Sequence, residues 1–159
     1  MAPKQEYIEQ LIVEYGDMVY RLAISRVKNK EEAEDIFQEV FLKVYEKMPE
    51  FVSKENEKYW IIRVTINLSK NLLTTAWHRK VSPLEEDVHF EEQEVSDVYF
   101  EVLKLPLKYR TIIQLFYYED LSIEEISEIM KINSNTVKTR LRRAREKLKI
   151  RLEGGFEYE

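Results

Sequence analysis

The residues best suited to chemistry in this chain are nine Lys or Arg between Lys131 and Arg151, set against a single acid, Glu146. In the same stretch Val137, Leu141, Ala144, Leu148 and Leu152 recur at spacings of four, three, four and four, a single apolar stripe on a helix. At about 100° per residue, Asn135, Thr139, Arg142 and Arg143 fall on the opposite face, with Lys138 and Arg145 on its flank. Guanidinium groups, ammonium groups and short polar side chains pair with phosphates and base edges. A helix held by one face and basic on the other suits a DNA major groove. Basic amphipathic helices also occur as plain solvated faces, membrane-surface helices or calmodulin targets. Membrane helices usually carry Trp or Phe on the apolar face, whereas this stripe is small and aliphatic.

Such a helix needs something to present it. Ser122 followed by Glu125 is a capping box, and Ile126, Ile129 and Met130 give a short helix its apolar face. The break at Lys131-Ile132-Asn133-Ser134 is short, with Asn133 or Ser134 able to cap the next helix. Lys131 stands where such turns often carry Gly. Residues 122–142 therefore read as a helix-turn-helix. Upstream, Pro106 sits at a helix start, and LKYRTIIQLFYYED is expected to form one helix packing on this unit. Gly154-Gly155 is expected to end the last helix, leaving FEYE as a loose tail.

Composition bounds the rest. A chain of 159 residues with 44% hydrophobic and 12% aromatic content can fill one core or two small ones. Only three Gly and four Pro among long runs of helix formers favour an all-α protein. The absence of Cys removes disulfides and thiolate metal sites. With no signal peptide and no run of 18 apolar residues, a cytoplasmic location is expected. Net charge is −5, yet the 131–151 stretch carries +8, so the remainder carries −13. The basic surface is local, and such a chain should grip bare DNA weakly without a partner. Between Pro83 and Leu103 eight acids stand without one Lys or Arg. The reading is two small helical domains, 1–81 and 96–153, joined by an acidic flexible linker at 82–95.

In the first domain, residues 4–28 place Ile8, Leu11, Ile12, Tyr15, Val19, Leu22 and Ala23 on one face. Asn29 with Glu32 offers a capped start to a helix over 33–47, which Pro49 ends. Ile36, Phe37, Val40, Phe41 and Val44 point inward, leaving Asp35, Gln38, Glu39 and Leu42 at or beyond the stripe's edge. By periodicity alone that outer face is a solvated surface. A carboxylate metal or acid/base site is disfavoured, because no His stands among these residues. The segment 59–80 differs: it holds Arg63, Lys70, Arg79 and Lys80 and no acid, with Tyr59, Trp60 and Trp77 interleaved. That mixture suits a surface tracking a single nucleic-acid strand. Asn67, Lys70 and Asn71 share one polar face, whereas Trp60, Ile61, Val64 and Leu68 read as core. His78 and His89 are isolated, and nothing in the chain calls for a metal or cofactor.

Both halves resemble one family. Asp35-Ile36-Phe37-Gln38-Glu39-Val40-Phe41, Trp60 with Asn67, Leu105-Pro106 with Arg110, and Leu121-Ser122 through Thr136-Val137-Lys138 are similar to the small two-domain sigma factors of bacterial RNA polymerase, the extracytoplasmic-function class. The resemblance spans about residues 5–152. It implies that Asp35, Gln38, Glu39 and Leu42 dock on the clamp helices of the polymerase core. It implies that Arg63, Asn67, Lys70 and Asn71 meet melted minus-ten DNA, with Asn67 at an extruded base. Ser134, Asn135, Thr136, Lys138, Thr139, Arg142 and Arg143 would read the double-stranded minus-thirty-five element. It also implies an anti-sigma factor as partner, often membrane-bound. The competing reading, a stand-alone LuxR-like helix-turn-helix regulator, needs a sensor lobe, and residues 1–80 show no βα alternation for one. An enzyme would need a convergent nucleophile, base or metal set, which the sequence lacks.

Overall fold

Asn29 is a good place to begin the fold, because its side chain decides where the second helix starts. The structure is a computed structural model that describes residues 2–78 and 96–157, and every regular element among those residues is helical. Asn29 Oδ1 accepts the Glu32 N–H at 2.9 Å, so helix α2 runs Lys30–Lys47, three residues earlier than its apolar pattern alone suggests. Glu31 and Glu32 lie at its positive end. Its inner face buries Ala33, Ile36, Val40, Phe41 and Val44. Helix α2 ends at Lys47, two residues before Pro49, and Met48 between them takes a left-handed conformation with φ 41° and ψ 57°.

Helix α1, Ala2–Val27, buries Leu11, Tyr15, Val19, Leu22 and Ala23 as its spacing predicts. Ile12, by contrast, is 36% exposed, while everything from Leu22 to Lys28 is buried. The reason is that α1 packs against both α2 and α3, which widens its inner sector beyond one stripe. Gly16 permits this closeness. A Cβ there would lie 3.3 Å from the Phe37 ring.

Helix α3, Lys54–His78, begins five residues before the expected segment, with Ser53 Oγ accepting the Asn56 N–H at 3.0 Å. Its core line was only partly legible. Ile61 is buried, but Val64 and Leu68 are half-buried, and Trp60 lies half-buried and edge-on to Phe51 at 5.8 Å. Tyr59, grouped above with strand-facing aromatics, is buried instead. Thr65 and Ser69 replace the larger residues at the seam. Each bonds its hydroxyl to its own helix, at Ile61 O (2.8 Å) and Ile66 O (2.7 Å), so a small polar side chain can sit in the core satisfied. The buried Glu57 carboxylate accepts from Tyr7 (2.8 Å), Tyr15 (3.0 Å) and Lys54 (3.2 Å), tying α3 to α1. Burial, then the bond to Glu57, pushes the Tyr7 phenol up to about 12 and raises that of Tyr15 too. Arg26 donates to Ser69, and burial lowers its guanidinium to about 10.

The chain divides into two compact units, Met1–Leu84 and Glu85–Glu159. The expected linker 82–95 lies outside the described residues, as do Arg79, Lys80 and His89. In the second unit Ser96 caps α4, Asp97–Leu103, and Pro106 precedes α5, Leu107–Ile113. The single helix expected after Pro106 instead widens into a π-helical turn over Gln114–Tyr118. The fully buried Gln114 side chain occupies that turn, accepting from Tyr99 OH and donating to Glu119, each at 2.8 Å. Helices α6, Ile123–Met130, and α7, Ser134–Glu157, complete the unit. Helix α7 runs on through Gly154-Gly155 rather than ending there. Two helical Gly cost roughly 1 kcal/mol each against Ala, which a helix of this length can tolerate.

Candidate functional site

Helix α6 is fixed at both ends by local bonds. Ser122 Oγ accepts the Glu125 N–H at 3.0 Å, and Glu125 Oε1 accepts the Ser122 N–H at 2.8 Å, the capping box the sequence predicts. At the other end Lys131 itself adopts the left-handed conformation, φ 56° and ψ 47°, that Gly usually supplies. The N–H groups of Lys131 and Ile132 both bond Ser127 O, and Ser127 Oγ returns a bond to Ile132 O at 2.6 Å. The Ile132 N–H to Ser127 O bond is that of a Schellman turn with Lys131 in the left-handed position, and the Ser127 hydroxyl adds a side-chain bond across the same turn. Asn133, not Ser134, caps α7: its Oδ1 accepts the Asn135 N–H at 2.7 Å.

Helix α7 is held by Val137, Leu141 and Ala144, all buried, with Leu148 and Leu152 half-buried beyond them. Asn135, Lys138, Arg142 and Arg143 are exposed, and Ser134, Thr136 and Thr139 are intermediate at the helix start and edge. These are the candidate groove-reading residues, and the structure brings them onto one surface. Arg142 pairs with Glu146 one turn on, at 2.9 Å. Arg145 donates to Tyr117 OH at 2.6 Å, and Arg151 bonds Glu101 at 2.8 Å, tying α7 to α4. Arg151 is thus a packing residue as well as a charge.

On the first unit, Asp35, Gln38, Glu39 and Leu42 are all exposed, along one side of a helix whose other side is core. A purely solvated surface fits this face poorly, because Leu42 is 49% exposed and Tyr45, one turn on, 47%. Tyr45 was not among the expected residues. Its ring lies 4.0 Å from the Lys4 ammonium. On α3, Asn67, Lys70 and Asn71 are exposed and Arg63 half-buried, at spacings that place them along one face. Among the described residues no group of His, Asp or Glu could hold a metal ion, and no helix is long and apolar enough to cross a membrane.

Comparison with known proteins bears on both units. Residues 11–79 match the family described as Sigma-70 region 2, and residues 98–148 match Sigma-70, region 4. The chain is 32% identical over 168 residues to the ECF RNA polymerase sigma factor SigW of Bacillus subtilis (strain 168), covering 93% of this chain and 90% of that protein. It is 32% identical over 151 residues to the RNA polymerase sigma factor SigV of the same organism, covering 89% and 88%. In fold it resembles the sigma factor RpoE solved with the anti-sigma factor NepR from Bartonella quintana, with TM-score 0.71 and 22% identity over 91% of this chain and 96% of that one. It also resembles CnrH solved with the cytosolic domain of CnrY, with TM-score 0.70 and 20% identity over 94% and 90%.

Proposed function

The chain belongs to the extracytoplasmic-function sigma factors of bacterial RNA polymerase, and on that premise we propose which of its surfaces does each part of the work. A sigma factor binds the polymerase core and directs promoter-specific initiation. The outer face of α2, through Asp35, Gln38, Glu39 and Leu42, docks on the clamp helices of the core. Arg63, Asn67, Lys70 and Asn71 on α3 hold melted minus-ten DNA. Helix α7, from Ser134 to Arg143, reads the minus-thirty-five duplex. The domains are 1–81 and 96–153 with the acidic linker 82–95 between them, and the protein works in the cytoplasm. An anti-sigma factor, often membrane-bound in this family, is its expected antagonist; the fold neighbour from Bartonella quintana was solved with one. The stand-alone regulator is not favoured, because the family match covers both halves.

The observation that carries the docking assignment is the outer face of α2: Asp35, Gln38, Glu39 and Leu42 exposed together, an apolar one among them, on a helix anchored by a buried opposite face. Gln38→Ala, and more severely with Asp35→Ala, should lose core affinity and transcription while the melting temperature stays nearly unchanged. Surface changes usually alter stability by less than about 0.5 kcal/mol, whereas interface hot spots cost roughly 2 kcal/mol or more of binding. Normal core binding by a folded double variant would remove the assignment.

A further inference from the structure

Three aromatic residues in a row, Phe116, Tyr117 and Tyr118, occupy the π-helical turn after α5. Such wide turns are rare and recur at functional sites. Tyr118 is anchored edge-on against Tyr99, with centroids 4.9 Å apart. Tyr117 instead stays 49% exposed and reaches α7, where Arg145 Nε donates to its hydroxyl at 2.6 Å. The Arg145 guanidinium carbon lies 5.6 Å from the ring centroids of both Phe116 and Tyr117. The guanidinium is therefore oriented by an aromatic platform and a bond at Nε, while the residue remains exposed. On α7 it shares a flank with Lys138, two turns earlier, beside the candidate reading face.

We propose that Tyr117 and Arg145 form a phosphate clamp on duplex DNA, with Tyr117 as the positioning residue. The Nε bond leaves the two terminal amino groups of Arg145 for phosphate oxygens, the fork geometry in which Arg excels. Tyr117 accepts from Arg145 Nε and so fixes the plane in which the guanidinium meets the phosphate. The clamp adds grip without reading sequence, since phosphate contacts fix register and base edges carry identity. It rests on the reading of α7 as the groove helix and extends the footprint onto the turn behind α5.

The test uses the full chain in holoenzyme, with promoter binding measured across a salt series and a set of upstream-element variants. Arg145→Ala should weaken binding to every variant equally, by about tenfold, and reduce the log–log salt slope by about one. Arg145→Gln, which keeps a donor for Tyr117, should show the same loss of slope. Tyr117→Phe should weaken binding by a smaller factor and add nothing once Arg145 is gone. A wild-type salt slope in Arg145→Ala and Arg145→Gln, or a changed base preference, overturns the clamp. Thr139→Ala and Arg142→Ala run in parallel should shift base preference. If they do not, the groove assignment has failed, independently of what Arg145 does.

Discussion

Asn67 lies exposed on α3, one turn beyond Arg63 and one turn before Lys70 and Asn71, while the buried line of the same helix runs through Ile61, Thr65 and Ser69. Removing its carboxamide leaves that line intact. Asn67→Ala should therefore keep the fold and core binding while relaxing selectivity at one position of the melted strand. Extruding a base costs a few kcal/mol, and contacts to the extruded base are what offset it. Permanganate footprinting reports the bubble; an Asn67→Ala protein that opens it with unchanged base preference would make Asn67 structural. At this scale the sequence placed residues well where exposure follows helical spacing. It missed Tyr117 as the partner of Arg145, because 28 residues separate them and a π turn redirects the ring. It missed Tyr45, which stands next to Val44 at the edge of the apolar stripe, where spacing alone does not tell a buried ring from an exposed one.

Helix ends show why some elements were legible and others were not. The Ser122–Glu125 box and the Asn29 cap involve residues three apart, so the chemistry is complete within the sequence window. The π turn depends on a buried Gln114 satisfied by Tyr99 and Glu119, and the Thr65–Ser69 seam depends on α1 lying close by. Those are tertiary facts. The turn of the helix-turn-helix gives the test at this scale. Lys131 holds φ 56° without being Gly, and the left-handed conformation costs an L residue roughly 1–2 kcal/mol. Lys131→Gly relieves that strain but adds freedom to the unfolded chain, for a net gain of about 0.5–1 kcal/mol. The C-terminal unit should then melt a few degrees higher, since about 1 kcal/mol moves a domain of this size by roughly 4–8 °C. A lower melting temperature would show that the Lys131 side chain holds the turn by contacts that outweigh the strain.

Across the molecule, each unit builds its own core, and the first leans on ionisable groups. Tyr7 and Tyr15 titrate higher in the folded unit than in the unfolded chain, because burial and the Glu57 carboxylate disfavour their phenolates. Above pH 10 the unfolded chain releases protons that the folded one retains. The stability these phenols contribute is therefore complete below pH 10 and is lost as pH rises through about 12 for Tyr7. Denaturant midpoints followed by circular dichroism should fall over that range, and Tyr7→Phe should flatten the dependence; an unchanged slope would place the alkaline weakness elsewhere. The packing of α1, α2 and α3 on one another also has a consequence in time. Helices adjacent in sequence make contacts early, so such units fold fast, and domains fold in the order they are synthesised. Translating residues 85–159 takes roughly 4–15 s at about 5–20 residues per second. A stalled nascent chain with α1–α3 clear of the ribosome should already capture core polymerase, and failure to do so would show that the first unit needs the second. On the proposed division of labour, the unit that docks on polymerase is thus complete, and able to compete for it, seconds before the unit that reads the minus-thirty-five duplex has been made.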